Sequence, residues 1–138
     1  MTTITLKGRE IPLLYTTEEM LTIQERIGPL SEVIYRVTGR NPEDEKDINW
    51  VGGVDHLTSL SKLVTILGNA GLEEAGKEPD LTEKKVRRAI RPDELMLMSN
   101  ACMDCMAEGM RSEIPEKKQE GPVDVTLEEM NKKKEAVN

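Results

Sequence analysis

The sequence holds few side chains of the types that perform chemistry, and one pair of them stands at a recognised spacing. Cys102 and Cys105 have the spacing of zinc knuckles and thioredoxin-like redox sites. Both fall within a predicted helix, the chain has no other cysteine, and His56 is its one histidine. A four-ligand metal site would therefore need carboxylates or a second chain. The sequence predicts two buried thiols without a metal, and an exposed His56 in a first helical turn without a catalytic role.

The acidic run at residues 43–47 is a second candidate for a cation site. It lies between Asn41-Pro42 and Gly52-Gly53 and lacks the spaced oxygen ligands and central glycine of a calcium-binding loop. We therefore predict a mobile, solvated loop over residues 40–53, with Trp50 covering the core at its end. No Gly-rich phosphate loop and no Ser/His/Asp or Cys/His arrangement stands in a clear structural context. The prediction is a protein that is not an enzyme and carries no cofactor or metal.

Composition and charge narrow the function classes further. The chain has 138 residues and a net charge of −7, and it lacks the basic stripe with which nucleic-acid binders displace counterions. It has no apolar run near the roughly 18 residues of a membrane span and no signal region at its start. Phenylalanine is absent, and eight methionines supply much of the large apolar volume. These features predict a cytoplasmic protein with a Met-rich aliphatic core.

A turn signal predicts the first strand pair. Two short apolar runs, at residues 4–6 and 11–15, flank Lys7-Gly8, and glycine supplies the positive φ that a tight hairpin turn requires. A two-stranded hairpin leaves at least one backbone edge unpaired, and such an edge can pair with a second copy of the chain. The residues that we assign to this self-association are Ile4, Leu6, Ile11 and Leu13.

Five helices are predicted after the hairpin from apolar residues at helical spacing. The central one is apolar nearly all round, which implies neighbours on two faces. Gly68 and Gly71 on its main stripe indicate the close approach of another backbone; the alternative is a break in the helix near Gly68. The five predicted helices run from Thr16 or Thr17 to Gly28, from Pro29 to Gly39, from Asp55 (as N-cap) to Ala75, from Glu83 to Ile90, and from Pro92 to about Arg111.

The predicted fold class is therefore mainly α. An N-terminal β-hairpin is followed by about five helices in a compact bundle, and the chain continues into a flexible C-terminal tail. The helical domain covers residues 1–111, including the acidic loop, and the tail covers residues 112–138, with a short helix at 126–135. A helix of that length is not stable alone in water.

Two segments allow two interpretations each. The tail either orders on a partner or is a frayed end without a function. The fourth helix carries Lys84, Lys85, Arg87 and Arg88, which form either a solvated face or a patch that attracts an acidic protein partner.

The last helix carries more apolar surface than one interface consumes. Its main stripe is best explained by core packing, whereas Met96 and Met103 flank that stripe and Leu97 lies nearly opposite it. Methionine is flexible and polarizable, which suits a surface that accepts varied apolar partners. The residues that we assign to partner binding are Met96, Leu97, Met103, Met110, Val123, Val125, Leu127 and Met130.

A hairpin reading Lys7-Gly8-Arg9-Glu10-Ile11-Pro12-Leu13 leads into Glu18-Glu19-Met20 and then Ile23-Gln24-Glu25-Arg26-Ile27-Gly28. This opening resembles the start of the tail assembly chaperones of long-tailed phages and of prophages of Firmicutes. The resemblance extends to residues 60–76 and 81–109, and thus covers most of the chain apart from the acidic loop. It is carried by features of the fold and not of chemistry.

Members of that family are small, acidic, largely helical proteins that are absent from the finished virion. The resemblance implies that this protein coats the long, hydrophobic tape measure protein in the host cytoplasm, keeps it soluble, and helps recruit tail tube subunits. Many members gain a longer C-terminal domain by ribosomal frameshifting, and the A-rich codons of Lys132–Lys134 are compatible with a slippery site. Two alternatives stay open: a structural virion component, such as a minor tail or head–tail connector protein, and a host helical adaptor protein.

Overall fold

The computed structural model describes residues 1–40 and 51–110. It is mainly helical (64%), with an N-terminal two-stranded antiparallel hairpin and five helices, which confirms the predicted fold class. In chain order the elements are β1 (Thr3–Leu6), β2 (Arg9–Pro12), α1 (Thr17–Arg26), α2 (Leu30–Val37), α3 (Val54–Glu74), α4 (Glu83–Ala89) and α5 (Leu95–Gly109), with a 3-10 turn at Pro92–Glu94 before α5.

The hairpin closes with the turn that the sequence predicts. Lys7 and Gly8 both have positive φ, at 51° and 77°, so the two-residue loop is a type I′ turn, whose twist matches that of the strands. Thr3 pairs with Pro12 and Leu6 with Arg9. The hydrogen bond from the Leu13 N–H to the Thr2 carbonyl, 2.9 Å long, extends the pairing beyond the strands.

The first two helices begin within one residue of their predicted starts. Thr16 is the N-cap of α1, and it forms the predicted capping box with Glu19. Pro29 is the N-cap of α2, so the helix begins at Leu30, one residue later than predicted. Both helices are amphipathic, and each presents its buried side chains to α3: Ile23 from α1, and Val33 and Val37 from α2.

Helix α3 is the centre of the fold, because it contacts β2 and each of the other four helices. It is continuous from Val54 to Glu74, which confirms the predicted central helix and excludes the alternative of a break near Gly68. A Cβ atom added to Gly71 would lie 1.8 Å from the Pro12 carbonyl oxygen, which confirms the predicted approach of another backbone. At Gly68 the neighbours are side chains instead, with Leu81 Cδ1 2.6 Å from an added Cβ.

Two polar contacts hold distant segments onto this core. The Asn69 side chain donates to the Leu81 carbonyl at 3.0 Å and accepts from the Leu81 N–H at 2.9 Å, so it fixes the segment before α4 against α3. The backbone N–H and the hydroxyl of Thr2 both donate to one Glu108 carboxylate oxygen, at 3.1 and 2.9 Å. The start of the hairpin is therefore tied to the last turn of α5.

Several predictions concern residues outside the described ranges. They are the acidic loop, of which residues 41–50 are not described, the Trp50 lid, the domain boundary near residue 111, the tail at 112–138 with its short helix, and the tail residues assigned to partner binding, Val123, Val125, Leu127 and Met130. They stay predictions.

Candidate partner-binding surfaces

The Cys102 and Cys105 thiols are free and buried in α5, as predicted. Burial raises the pKa of Cys105 to about 12, with a smaller contribution from the Glu108 and Glu19 carboxylates. Burial also raises the pKa of Cys102, and the neighbouring Cys105 adds to this effect. A thiol that stays protonated is a poor nucleophile and a poor metal ligand. In residues 1–40 and 51–110, no three His, Cys, Asp or Glu side chains are grouped closely enough to hold a metal ion.

The prediction of an exposed His56 is wrong, because its side chain is fully buried. Helix α3 is capped by Gly53 and begins at Val54, not after an Asp55 cap. At helical spacing His56 then shares the buried face of α3 with Leu60 and Leu63. The helical spacing of residues 56, 60 and 63 indicates that they share one buried face. The prediction of exposure followed the polarity of the histidine side chain instead.

A chain of hydrogen bonds satisfies the buried imidazole. The Gly52 N–H donates to His56 Nδ1 at 2.9 Å, which assigns the ring proton to Nε2; Nε2 lies 3.2 Å from Ser99 Oγ. The Ser99 hydroxyl in turn donates to the Val37 carbonyl at 2.7 Å. Burial lowers the pKa of His56, and hydrogen bonding toward the Val37 backbone opposes this effect in part. The enclosed His–Ser pair thus links α2, α3 and α5, with the hydroxyl proton directed to a carbonyl and not to a substrate.

The four residues assigned to self-association have buried side chains: Ile4, Leu6, Ile11 and Leu13. These side chains pack in the core and present no outward surface. What the hairpin offers outside is backbone. Because Leu13 bonds to Thr2, the alternation of an antiparallel pair directs the N–H and C=O groups of Thr3 and Thr5 away from β2. The sheet in the described residues has two strands, so no third strand lies beside this edge.

Three of the predicted partner-binding residues form one line along α5. Met96, Met103 and Met110 are spaced by seven residues, close to two helical turns, so they lie on one side of the helix. Met96 and Met110 are 42% and 71% exposed, and Met103 is partly buried against the core. We call this line the methionine flank. The fourth predicted residue on α5, Leu97, is 63% exposed but lies on a different side of the helix.

Two depressions border the methionine flank. One, of about 430 Å³, lies between α2 and α5 and is lined by Met103, the exposed Ile34 and the half-buried Tyr35. The other, of about 820 Å³, lies where α5 passes the segment before α1, and Met110, Met20 and Leu14 contribute apolar walls to it. The flank and its two depressions form a broken apolar surface along the length of α5.

A third depression was missed by the sequence reasoning. It has a volume of about 350 Å³ and lies between α3, α4 and the start of α5. We call it the α3–α4 groove, and its lining residues are Gly52, Leu57, Leu60, Ser61, Arg87, Ile90, Pro92 and Leu95. The spacing of Val54 and Leu57 was a local signal of apolar surface at the start of α3. The position of α4 beside it had no local signal.

Comparisons with protein-family models, with curated proteins and with solved structures find no match to this chain. Among the described helices, none combines the length and the apolar character needed to cross a membrane. Function is therefore inferred from the surfaces of the molecule and from the resemblance of its sequence.

Proposed function

We propose that this protein is a tail assembly chaperone of a long-tailed phage or prophage. In this role it binds the tape measure protein in the cytoplasm of the bacterial host, keeps it soluble, helps recruit tail tube subunits, and does not remain in the mature virion. The resemblance of the opening hairpin and helix supports the family. The methionine flank of α5 is the observation that carries the binding role.

The flank has the chemistry of a surface for varied apolar clients. Thioether side chains adapt their shape to different partners, and Met96 and Met110 are 42% and 71% exposed. Contact of these exposed methionines with a partner is favourable, because it removes their apolar area from water.

The spacing along α5 fits a helical client. Seven residues of helix rise about 10.5 Å, so the depressions beside Met103 and Met110 are separated by about that distance. An amphipathic client helix lying along α5 repeats its apolar side chains at the same interval. A long apolar protein can thus be covered by several copies of the chaperone, each holding a short stretch.

The charge of the chain supports the solubilising role. A net charge of −7 on a protein of 138 residues gives each bound copy a strong excess of negative charge. Copies arranged along one client repel other complexes and keep them dispersed. This repulsion weakens at high salt, because the Debye length falls to about 3 Å at 1 M.

The outer edge of β1 supports association between copies. The outward N–H groups of Thr3 and Thr5 are donors for a strand of a neighbouring molecule.

Thr5→Pro removes one outward donor without removing a hairpin bond, and Thr5→Ala keeps that donor. We expect Thr5→Pro to reduce oligomer size in light scattering with client present and Thr5→Ala to leave it unchanged. Equal oligomers in both variants would rule out pairing through β1.

Co-expression with a phage tape measure protein tests the client-binding role. The wild-type chain is expected to bring the tape measure protein into the soluble fraction and to elute with it. The double variant Met96→Glu/Met110→Glu is expected to lose the complex, because two charges would be buried in an apolar contact. Leu97→Glu is the matched control, since it places the same charge on another side of α5 and should retain the complex.

Three results would count against the proposal. The tape measure protein stays insoluble with the wild-type chain, or Leu97→Glu abolishes the complex as fully as the flank variant, or purified phage particles contain the protein in stoichiometric amounts. The last result would instead favour a structural virion component.

A further inference from the structure

The α3–α4 groove combines an apolar floor with an exposed apolar border. Leu57, Leu60, Ile90 and Leu95 supply the floor from three different elements. Val54 precedes Leu57 by three residues on α3, so it extends the same face, and it is 81% exposed. Burial of this surface against another segment is favourable by about 25 cal/mol per Å² of apolar area.

The rim of the groove is basic, in a protein that is acidic as a whole. Arg87 lies on the groove wall, where its guanidinium donates to Ser61 Oγ at 3.1 Å and stands 3.7 Å from Glu83. Lys84 and Arg88 are exposed on the same short helix, whereas Arg91, which follows it, is paired with Asp93 and Glu94. No ion pair within residues 1–40 and 51–110 involves Lys84 or Arg88. The groove therefore fits a segment that is both apolar and acidic.

One stretch of this chain beyond the described residues has that composition. Residues 123–130 read Val-Asp-Val-Thr-Leu-Glu-Glu-Met, with four apolar and three acidic side chains. The basic residues nearest to them in the tail lie outside the stretch, at Lys117-Lys118 and Lys132–Lys134. The signs of charge on the groove rim and on the segment are opposite.

The connecting stretch has a suitable length. The described chain leaves α5 at Met110, and the 15 residues of α5 place that end roughly 21 Å from Leu95 at the groove. Residues 111–122 connect Met110 to the segment, and a flexible chain of that length has a root-mean-square span of roughly 19 Å. When span and distance match, the effective concentration of a tethered segment reaches the millimolar range.

We propose that residues 123–130 dock in the α3–α4 groove of the same chain. The apolar side chains of the segment cover Leu57 and Ile90, and its carboxylates face Lys84 and Arg88. This proposal is independent of the client-binding role, because it concerns another groove and requires no client. The methionine flank is left uncovered by this docking, and a failure of either proposal leaves the other standing.

A spin label in the tail tests the docking on the full-length protein. The native thiols are buried and protonated at neutral pH, so a Thr126→Cys variant is labelled selectively with a nitroxide reagent. In the labelled, 15N-enriched protein we expect the amide signals of Leu57, Ser61 and Ile90 to lose most of their intensity. The amide of Glu74, at the opposite end of α3 and roughly 25 Å from Leu57, serves as the distant reference and should keep its intensity.

Matched variants assign the effect to this segment and this rim. Val125→Asp/Leu127→Asp should abolish the selective loss, whereas Val137→Asp, the same change elsewhere in the tail, should preserve it. Lys84→Glu/Arg88→Glu should weaken the effect several-fold, and addition of Glu128→Lys/Glu129→Lys should restore it. About 0.5 M salt should weaken it in the wild-type chain, because it screens the charge pairs.

Three results would overturn the proposal. Uniform loss of intensity over the surface would show an undocked tail. Retention of the selective loss in Val125→Asp/Leu127→Asp would show that this segment is not the occupant. Selective loss that arises from an unlabelled 15N chain mixed with a labelled 14N chain would show docking between two copies.

Discussion

Helices α3 and α5 are the two longest among the described residues, and α5 has the larger share of apolar residues (10 of 15, against 9 of 21 in α3), but α3 is the better covered of the two. Of the 21 residues of α3, 12 are buried, whereas 4 of the 15 residues of α5 are. Helix α3 contacts β2 and all the other helices, and α5 has one buried face. Apolar content alone therefore does not show which helix builds the core and which one remains available to a partner.

Each of the two helices has a glycine that another backbone approaches closely. Gly71 on α3 admits the Pro12 backbone at a distance that no side chain tolerates, so the hairpin closes over that face. On α5 the comparable position is Gly109, in the last turn, where an added Cβ would lie 2.4 Å from the Tyr15 carbonyl oxygen. Gly71 and Gly109 both lie in the last turn of their helices, so close backbone approach covers the same end of each, and the wider burial of α3 comes from its contacts with β2 and the four other described helices.

The largest effect is expected at the crowded glycine of α3. Gly71→Ala forces the added carbon against the Pro12 carbonyl and should reduce the free energy of unfolding by about 3 kcal/mol in urea denaturation. Gly68→Ala is the matched control, because its new carbon meets the movable end of Leu81 and gains about 1 kcal/mol of helix propensity. Equal losses at both positions would show that the backbone contact is not what distinguishes them.

The next largest effect is expected at Asn69 on α3, whose side chain forms two hydrogen bonds with the backbone of Leu81. Asn69→Ala removes both hydrogen bonds to Leu81 and should cost about 2 kcal/mol of unfolding free energy. Asn100→Ala makes the same change at an exposed position of α5 and should cost less than about 0.5 kcal/mol. A loss at Asn100 as large as at Asn69 would remove the contrast between the helices.

The buried His56, which links α3 to α5 through Ser99, should make the stability of the protein depend on pH. Burial lowers the pKa of His56, so the unfolded chain binds this proton more readily than the folded one. Stability is then fully present above the ordinary histidine pKa of about 6.5 and falls as the pH drops below it, by at most about 1.4 kcal/mol per pH unit. Urea denaturation between pH 7.5 and 5 measures this slope. His56→Asn should flatten it, and an unchanged slope in that variant would assign the dependence to other groups.

The smallest effect is expected on the exposed side of α5. Met96→Glu and Leu97→Glu should each change the free energy of unfolding by less than about 0.5 kcal/mol, because neither side chain belongs to the buried core or to the partly buried side chains packed against it. Thermal unfolding followed by circular dichroism measures this. A loss above about 1 kcal/mol in Met96→Glu would mean that the methionine flank packs against the rest of the fold and is not available to a client.

Local signals in the sequence predicted the elements well. The Lys7-Gly8 turn, the Thr16–Glu19 capping box and the unbroken central helix depend on neighbours within a few residues, and the structure has them all. Gly71 was also identified from its place on an apolar stripe. In these cases backbone geometry and helical periodicity were sufficient.

The surfaces were predicted less well, because they depend on how distant elements meet. The N-cap of α3 is Gly53 and not the predicted Asp55, and His56, which was predicted to be exposed in the first turn, is buried. The hairpin residues assigned to self-association, such as Ile4 and Ile11, proved to be core, since both strands turn their apolar side chains inward. The α3–α4 groove arises from three elements that are separated in the chain, and periodicity within one element gives no sign of it.

The contact between Thr2 and Glu108 has a consequence for synthesis on the ribosome. These residues are separated by 106 positions, so the bond cannot form until nearly all of the described chain has been translated. At roughly 5–20 residues per second this takes on the order of 5–20 s. The hairpin, α1, α2 and α3 emerge first and can assemble around α3, whereas α5 is added last. The methionine flank on α5 is thus completed only after the hairpin and the four preceding described helices have been synthesised.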